Sequence, residues 1–153
     1  GPLRESPSRL KRVDAVIVNG EPLQSLPVDA VTCMQLAPRC WRRLDDGERF
    51  PLAPLPFALP VHAVAGIGNP ERFFATLQTL AFECETYIFA DHARYDEQVL
   101  APLPTNKPVL MTEKDAVKCH HLADDRMYYL PVKTQLTEEL DKELKQLLTQ
   151  LLN

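Results

Sequence analysis

The sequence predicts an α/β fold: a mainly parallel sheet sandwiched by helices, with a short β-hairpin near residues 40–52. Two patterns predict it. From Val61 onward, short and nearly continuous apolar runs alternate with stretches of helical spacing, the order expected when helical crossovers cover both faces of parallel strands. Around the hairpin, Cys40 to Leu44 and Arg49 to Leu52 flank Asp45-Asp46-Gly47-Glu48, whose Asp and Gly residues supply the backbone angles of a tight turn.

Taken in order, Val13 to Val18 is rich in β-branched residues and stops at Asn19-Gly20, a buried strand closed by a turn, and Val31 to Leu36 reads similarly. Val61-His62-Ala63-Val64-Ala65 is apolar enough for a strand covered on both faces, with His62 read as a core histidine. It ends at Gly66-Ile67-Gly68-Asn69-Pro70, where Asn69 can cap a helix and Pro70 presets its first turn. Phe73, Phe74, Leu77 and Leu80 then follow at helical spacing. Tyr87-Ile88-Phe89 restores strand character, Tyr95 to Leu100 reads as a short helix, and Val109-Leu110-Met111 is another buried strand. Thr112 can cap a helix whose first turn carries Glu113 and Asp115. Met127 to Val132 is the final strand, and Thr137 caps a helix with an apolar stripe of Leu140, Leu144, Leu147, Leu148 and Leu151.

Composition bounds the function. A length of 153 residues, 45% hydrophobic and 25% charged, suits one compact soluble domain spanning 1–153. A formal charge of -4 leaves no broad cationic field for a polyphosphate backbone, so nucleic acid is not an expected partner. The apolar runs are too short and proline-broken to cross a bilayer, and no export signal follows the basic segment Gly1 to Arg12. Cys33, Cys40, Cys84 and Cys119 form no Cys-x-x-Cys pair. Cys119-His120-His121 has no second ligand cluster, so reduced thiols and no metal site are expected.

In open α/β sheets ligands gather beyond the carboxyl ends of the strands, which singles out Asn19-Gly20, Gly66 to Asn69, Asp91-His92 and Thr112 to Asp115. Gly66-x-Gly68 could bring bare amides to an anion at a helix start, or could simply make a sharp turn with close helix packing. A third glycine of a dinucleotide fingerprint is missing, which argues against an oxidoreductase. In Asp91-His92, the imidazole can take a hydroxyl proton at neutral pH while the carboxylate orients it; a solvated loop pair is the plainer reading. Lys114 and Lys118, four apart on one helix face, could meet a phosphate together, although Glu113 and Asp115 offset their field and a capped, ion-paired helix fits equally.

Five blocks, in this order, resemble the tetraacyldisaccharide 4'-kinase family: Gly1 to Glu5, Asp14 to Gly20, Ala63 to Phe74, Phe89 to His92 and Met111 to Lys118. The resemblance covers essentially the entire chain. It implies a P-loop-kinase-associated C-terminal domain of the lipid A 4'-kinase. That enzyme uses ATP and Mg2+ to phosphorylate the 4'-hydroxyl of tetraacyldisaccharide 1-phosphate, the lipid A disaccharide precursor of lipopolysaccharide. It works on the cytoplasmic face of the bacterial inner membrane. By the same resemblance His92 matches the family's catalytic histidine, which works with an aspartate of the missing half near the acceptor hydroxyl, while Asp91 stays a catalytic candidate from the residue pair itself; Asn19, Asn69, Arg72, Glu113, Lys114 and Lys118 are candidates for nucleotide, substrate or interdomain contacts.

The chain departs from the whole-family pattern in having no Gly-x-x-x-x-Gly-Lys-Ser/Thr. The N-terminal P-loop domain, which would bring most of the ATP and Mg2+ binding and the membrane contact, is therefore expected as a separate partner lobe. This chain alone is expected to be soluble and catalytically silent. The rival reading is a non-catalytic nucleotide-binding or interaction module with a kinase-derived fold.

Overall fold

The computed structural model describes residues 5–13, 15–20, 26, 28, 31–90, 95–96, 100, 103 and 106–152. In chain order the strands are β1 (Ile17–Asn19), β2 (Thr32–Pro38), β3 (Trp41–Arg43), β4 (Arg49–Phe50), β5 (Val61–Ala65), β6 (Cys84–Ile88), β7 (Val109–Thr112), β8 (Met127–Leu130) and β9 (Val132–Gln135). The α-helices are α1 (Pro70–Thr79), α2 (Glu113–Cys119) and α3 (Glu138–Leu151). These elements group into two compact units, one spanning Pro38–Val132 and the other combining Gly1–Ala37 with Lys133–Asn153.

The larger unit holds a six-stranded sheet in the order β4-β3-β8-β7-β5-β6. Strands β8, β7, β5 and β6 run parallel, and the antiparallel pair β3–β4 forms the hairpin at one edge. Side-chain alternation explains why it is sandwiched. Val61, Ala63 and Ala65 of β5, Leu110 of β7 and Tyr128 and Leu130 of β8 pack with Phe73 and Leu77 of α1. Val64, Val109, Met111 and Met127 pack with Ala116 and Cys119 of α2. Because strand side chains alternate faces, α1 and α2 cover opposite faces, and each strand between them reads as a continuous apolar run.

Trp41, fully buried, meets the Phe57 ring edge-on at 5.0 Å and the Phe82 ring at 6.0 Å. Beside it, Gly47 (φ 72°) supplies the left-handed residue of the hairpin turn, with open space around it, so the demand there is conformational. Arg43 ties the turn by bonding Asp45, Asp46 and Glu48, and its guanidinium holds the Asp46 carboxyl down at about 2.

The smaller unit carries a three-stranded sheet, order β1-β2-β9, with β1 and β2 parallel and Ile17 opposite Thr32. Gly20 (φ 85°) turns the chain after β1, and its N–H donates to Met34 O at 2.8 Å. Among the described residues of this unit only Leu140 of α3 is a buried hydrophobic, whereas Val13, Ile17, Leu148 and Leu152 are exposed. Leu144 is half-buried, and the side chains of Leu147 and Leu151 lie outside the described residues.

Three expectations differ from the sequence reading. The buried strand expected from Val13 to Val18 is a strand only at Ile17–Asn19, with Ile17 exposed and Val18 and Asn19 half-buried, because β1 is the edge of a three-stranded sheet. The single strand expected from Met127 to Val132 is two strands in two sheets, divided at Pro131, which has no N–H to give to a ladder. Strand β6 begins at Cys84, three residues earlier than the apolar signal, because it is the sheet's edge and its Glu85 and Thr86 are exposed. Most of the helix expected from Tyr95 to Leu100 lies outside the described residues.

Candidate functional site

Strands β5 and β7 are neighbours and parallel, so their carboxyl ends, Gly66 and Thr112-Glu113, emerge side by side. Thr112 caps α2: its Oγ1 accepts the Asp115 N–H at 3.2 Å and donates to Asp115 Oδ2 at 2.6 Å. Asp115 is fully buried, and the same Oδ2 accepts the Gly66 N–H at 3.2 Å. Lys118, one turn along α2, donates to Gly66 O at 2.7 Å and lies 3.3 Å from Asp115 Oδ1. Its ammonium also stands over the Tyr95 ring, 5.7 Å from the centroid. A buried carboxylate is thereby paired and hydrogen-bonded, as burial of a charge requires.

This arrangement decides what Gly66 does. Both its backbone groups are occupied from within, and a Cβ there would stand 2.6 Å from the Tyr95 hydroxyl and 3.3 Å from Asp115 Oδ1. Of the two readings of Gly66-x-Gly68, close packing is the one realised at Gly66. Tyr95 is 2% exposed; burial and the neighbouring Asp115 charge, an electrostatic contact rather than a well-formed hydrogen bond, push its phenol far above the usual range. Burial pushes the Cys119 thiol up to about 12, with Asp115 adding and Lys118 opposing. Its Sγ donates to Asp115 O at 2.7 Å, so it is an inert core thiol.

The other residues singled out in the sequence distribute as follows. Asn69 caps α1, its Oδ1 accepting the Arg72 N–H at 3.3 Å, and Asn69 and Arg72 are both exposed. Glu113 and Lys114 are exposed in the first turn of α2, and Glu113 borders a cleft of about 280 Å³ with Leu44, Asp46, Val117, His120 and Tyr129. Lys118 does not share an outer face with Lys114; it is turned onto Gly66 and Asp115. Asn19 ends β1 in the smaller unit. Asp91 and His92 lie outside the described residues, although Phe89 and Tyr95 on either side are described. His62 is fully buried in β5, its Nδ1 3.0 Å from Glu85 Oε2.

Sequence reasoning did not single out Tyr95, nor the inward role of Asp115. The available signal was a strand-end glycine paired with an Asp three residues past a Thr cap on the adjacent strand.

Comparison with known proteins agrees over nearly the full length. The family described as Tetraacyldisaccharide-1-P 4'-kinase matches residues 1–151. The Tetraacyldisaccharide 4'-kinase of Pseudomonas fluorescens is 48% identical over 132 residues, which is 86% of this chain and 38% of that protein. The corresponding protein of Ectopseudomonas mendocina is 46% identical over 152 residues, 97% of this chain and 44% of its own length. A crystal structure of LpxK from Aquifex aeolicus in complex with ATP superposes with a TM-score of 0.71 at 27% identity, covering 98% of this chain and 46% of that one. This chain thus spans less than half the length of these relatives. On the match across residues 1–151, together with these relatives, the chain belongs to the Tetraacyldisaccharide-1-P 4'-kinase family.

Proposed function

We propose that this chain is the C-terminal part of an ATP-dependent kinase that phosphorylates the 4'-hydroxyl of tetraacyldisaccharide 1-phosphate in lipid A biosynthesis. The observation that carries the proposal is the family match over residues 1–151, seconded by an LpxK relative solved with ATP. Phosphoryl transfer needs a cradle for the phosphates, a cation to offset their charge and a group to receive the acceptor's proton.

The described residues of this chain do not fit the first two tasks. It has no phosphate-loop motif, the Gly66 amide is spent on Asp115, and Asp115 and Asp46 are engaged by Lys118 and Arg43. ATP and Mg2+ are accordingly assigned to a phosphate-loop lobe of the same protein. What this chain brings is the third task. His92 takes the proton of the 4'-hydroxyl as the phosphoryl group arrives, and Asp91 orients the imidazole and stabilises its charged form. Exposed groups near the strand ends, Asn69, Arg72, Glu113 and Lys114, and Asn19 in the smaller unit, are proposed contacts for nucleotide, substrate or the partner lobe.

The smaller unit supports the partner assignment. With one buried hydrophobic among its described residues and several exposed ones, it resembles half of a core. We place the phosphate-loop lobe against it. No described helix is long and apolar enough to cross a membrane, so contact with the inner-membrane surface is assigned to the complete enzyme, at its cytoplasmic face.

The test is kinetic. In the full-length enzyme, His92→Ala should lower kcat by about 100-fold or more with ATP binding nearly intact, the scale of a lost general base. An unchanged kcat would remove His92 from the mechanism. Turnover of ATP and lipid acceptor by this chain without the phosphate-loop lobe would overturn the division of labour.

A further inference from the structure

One row of side chains crosses the six-stranded sheet on the face that α2 covers. The register sets Val64 of β5 beside Met111 of β7, Met111 beside Tyr129 of β8, Tyr129 beside Arg42 of β3, and Arg42 beside Arg49 of β4. Facing residues of paired strands point to the same side, so the whole row lies on one face. Under α2, Val64 and Met111 are sealed into the core with Ala116, and Tyr129 packs at its border. Past Tyr129 the row turns cationic. The half-buried Arg42 donates to the Tyr129 hydroxyl at 3.3 Å, while its Nε is shut off from solvent with no acceptor. Arg49 is exposed and makes no side-chain hydrogen bond or ion pair among the described residues. Like charges directly opposite each other across a strand pair are destabilising, so the hairpin itself gains nothing from this pair. Its other face shows the ordinary solution: Trp41 faces Phe50 against the core, and Arg43 is engaged by Asp45, Asp46 and Glu48 of the turn. Glu113 at the start of α2 is the carboxylate whose field reaches Arg42, and the two form no ion pair.

We propose that this face of the β3–β4 hairpin meets the phosphate headgroups of an anionic lipid surface, with Arg42 and Arg49 as its paired cations and Tyr129 holding Arg42 in place. Two guanidinium forks on one face, their like charges unrelieved by any carboxylate partner, suit phosphate oxygens. Arg49 lies on the edge strand, open to water, where a lone phosphate ion would keep most of its hydration; a lipid surface presents many headgroups at once. The donors are side chains on a sheet face, so this is not a cradle for a phosphoryl group in transfer. The choice of occupant rests on the reading of the acceptor as a lipid at the inner-membrane surface, and it gives this chain a share of that contact.

The experiment is cosedimentation of the full-length enzyme with vesicles of mixed phosphatidylcholine and phosphatidylglycerol. Arg42→Gln and Arg49→Gln should each weaken binding by about 5-fold, and together by about 25-fold, the scale of one arginine at an anionic surface. Lys107→Gln removes the same charge beside Glu85, toward the opposite edge of the sheet, and should weaken binding less than about 2-fold. An equal effect of Lys107→Gln would reduce the result to net charge and overturn the proposal, as would a double variant that binds like the parent. On phosphatidylcholine alone the arginine substitutions should move binding less than about 2-fold, because no anionic headgroup is present; the same loss there would overturn it. Inorganic phosphate at constant ionic strength should not release the enzyme from the mixed vesicles, and release would make the occupant a soluble anion instead. Unchanged vesicle binding with weaker affinity for a separately expressed phosphate-loop lobe would give the face to that lobe, again against the proposal. Arg49→Gln also has a readout free of lipid: relieved of its like-charged neighbour, the fold should gain about 1 °C in thermal midpoint. A fall of several degrees would show that Arg49 serves the fold, and the proposal would fail. Binding is read without turnover, so an unchanged kcat in His92→Ala would remove the catalytic reading alone, and an unchanged vesicle affinity would remove this proposal alone.

Discussion

Between Pro38 and Val132 strands β5 and β7 are buried on both faces and β8 nearly so; outside those limits the strands are half-buried or exposed and a single hydrophobic is enclosed among the described residues. Both regions use the same materials, parallel strands and amphipathic helices. What separates them is coverage. The larger unit has a helix for each sheet face and an aromatic plug of Trp41, Phe57 and Phe82, whereas the smaller one has three strands and exposed Ile17 and Leu148. The contrast teaches that burial, among the described residues, is concentrated where a helix covers each face of a sheet.

The sharpest way to break that contrast is to hollow out the larger unit. Trp41→Ala should destabilise this chain by about 3–5 kcal/mol, the cost of a large cavity, read as a lower denaturation midpoint. A loss below ~1 kcal/mol would mean that the buried sheet is not the stable unit.

Next comes His62, within the same sheet. Burial, chiefly, and Lys107 depress its pKa, against the pull of Glu85. A histidine held neutral in the fold binds fewer protons than in the unfolded chain, so stability should fall as pH drops below the unfolded value near 6.5 and level off below the depressed folded value. His62→Gln should flatten that part of the urea-midpoint curve relative to the parent. Parallel curves would refute the assignment.

A smaller effect is expected where α1 ends. Ala81 adopts φ 61°, a region that favours glycine, so Ala81→Gly should stabilise the larger unit by about 0.5 kcal/mol, net of the entropy glycine adds to the unfolded chain. Smallest of all, Leu148→Gln in the open unit should change the stability of this chain by less than ~0.5 kcal/mol. It should nevertheless weaken association with a separately expressed phosphate-loop lobe. If it destabilises the chain as strongly as a core substitution, the open unit is not open.

Much of this was legible in the sequence, for local reasons. The strands Val61–Ala65 and Val109–Thr112 announce themselves because burial on two faces leaves no polar alternation to find. The three helix caps, Asn69, Thr112 and Thr137, all accept the expected backbone N–H, since capping is settled within four residues. The hairpin at 40–52 follows from its turn chemistry. Cys84–Thr86 was hidden because an edge strand can afford charge, and the switch of sheets at Pro131 was hidden because no local pattern says which sheet a strand will join. The inward turn of Lys118 was equally invisible: whether an exposed-looking lysine faces phosphate or a carbonyl depends on a strand-end glycine fifty-two positions away. The family blocks, by contrast, drew attention to Gly66 and Asp115 without revealing that they touch.

The smaller unit is stitched from two stretches that flank the larger one in sequence. On the ribosome, β1 and β2 would emerge while β9 is still untranslated, and the whole of Pro38–Val132 must follow before the third strand can arrive. The six-stranded sheet, drawn from one continuous stretch, can thus form first on the nascent chain, and the three-stranded sheet must wait for a segment made long after its first two strands.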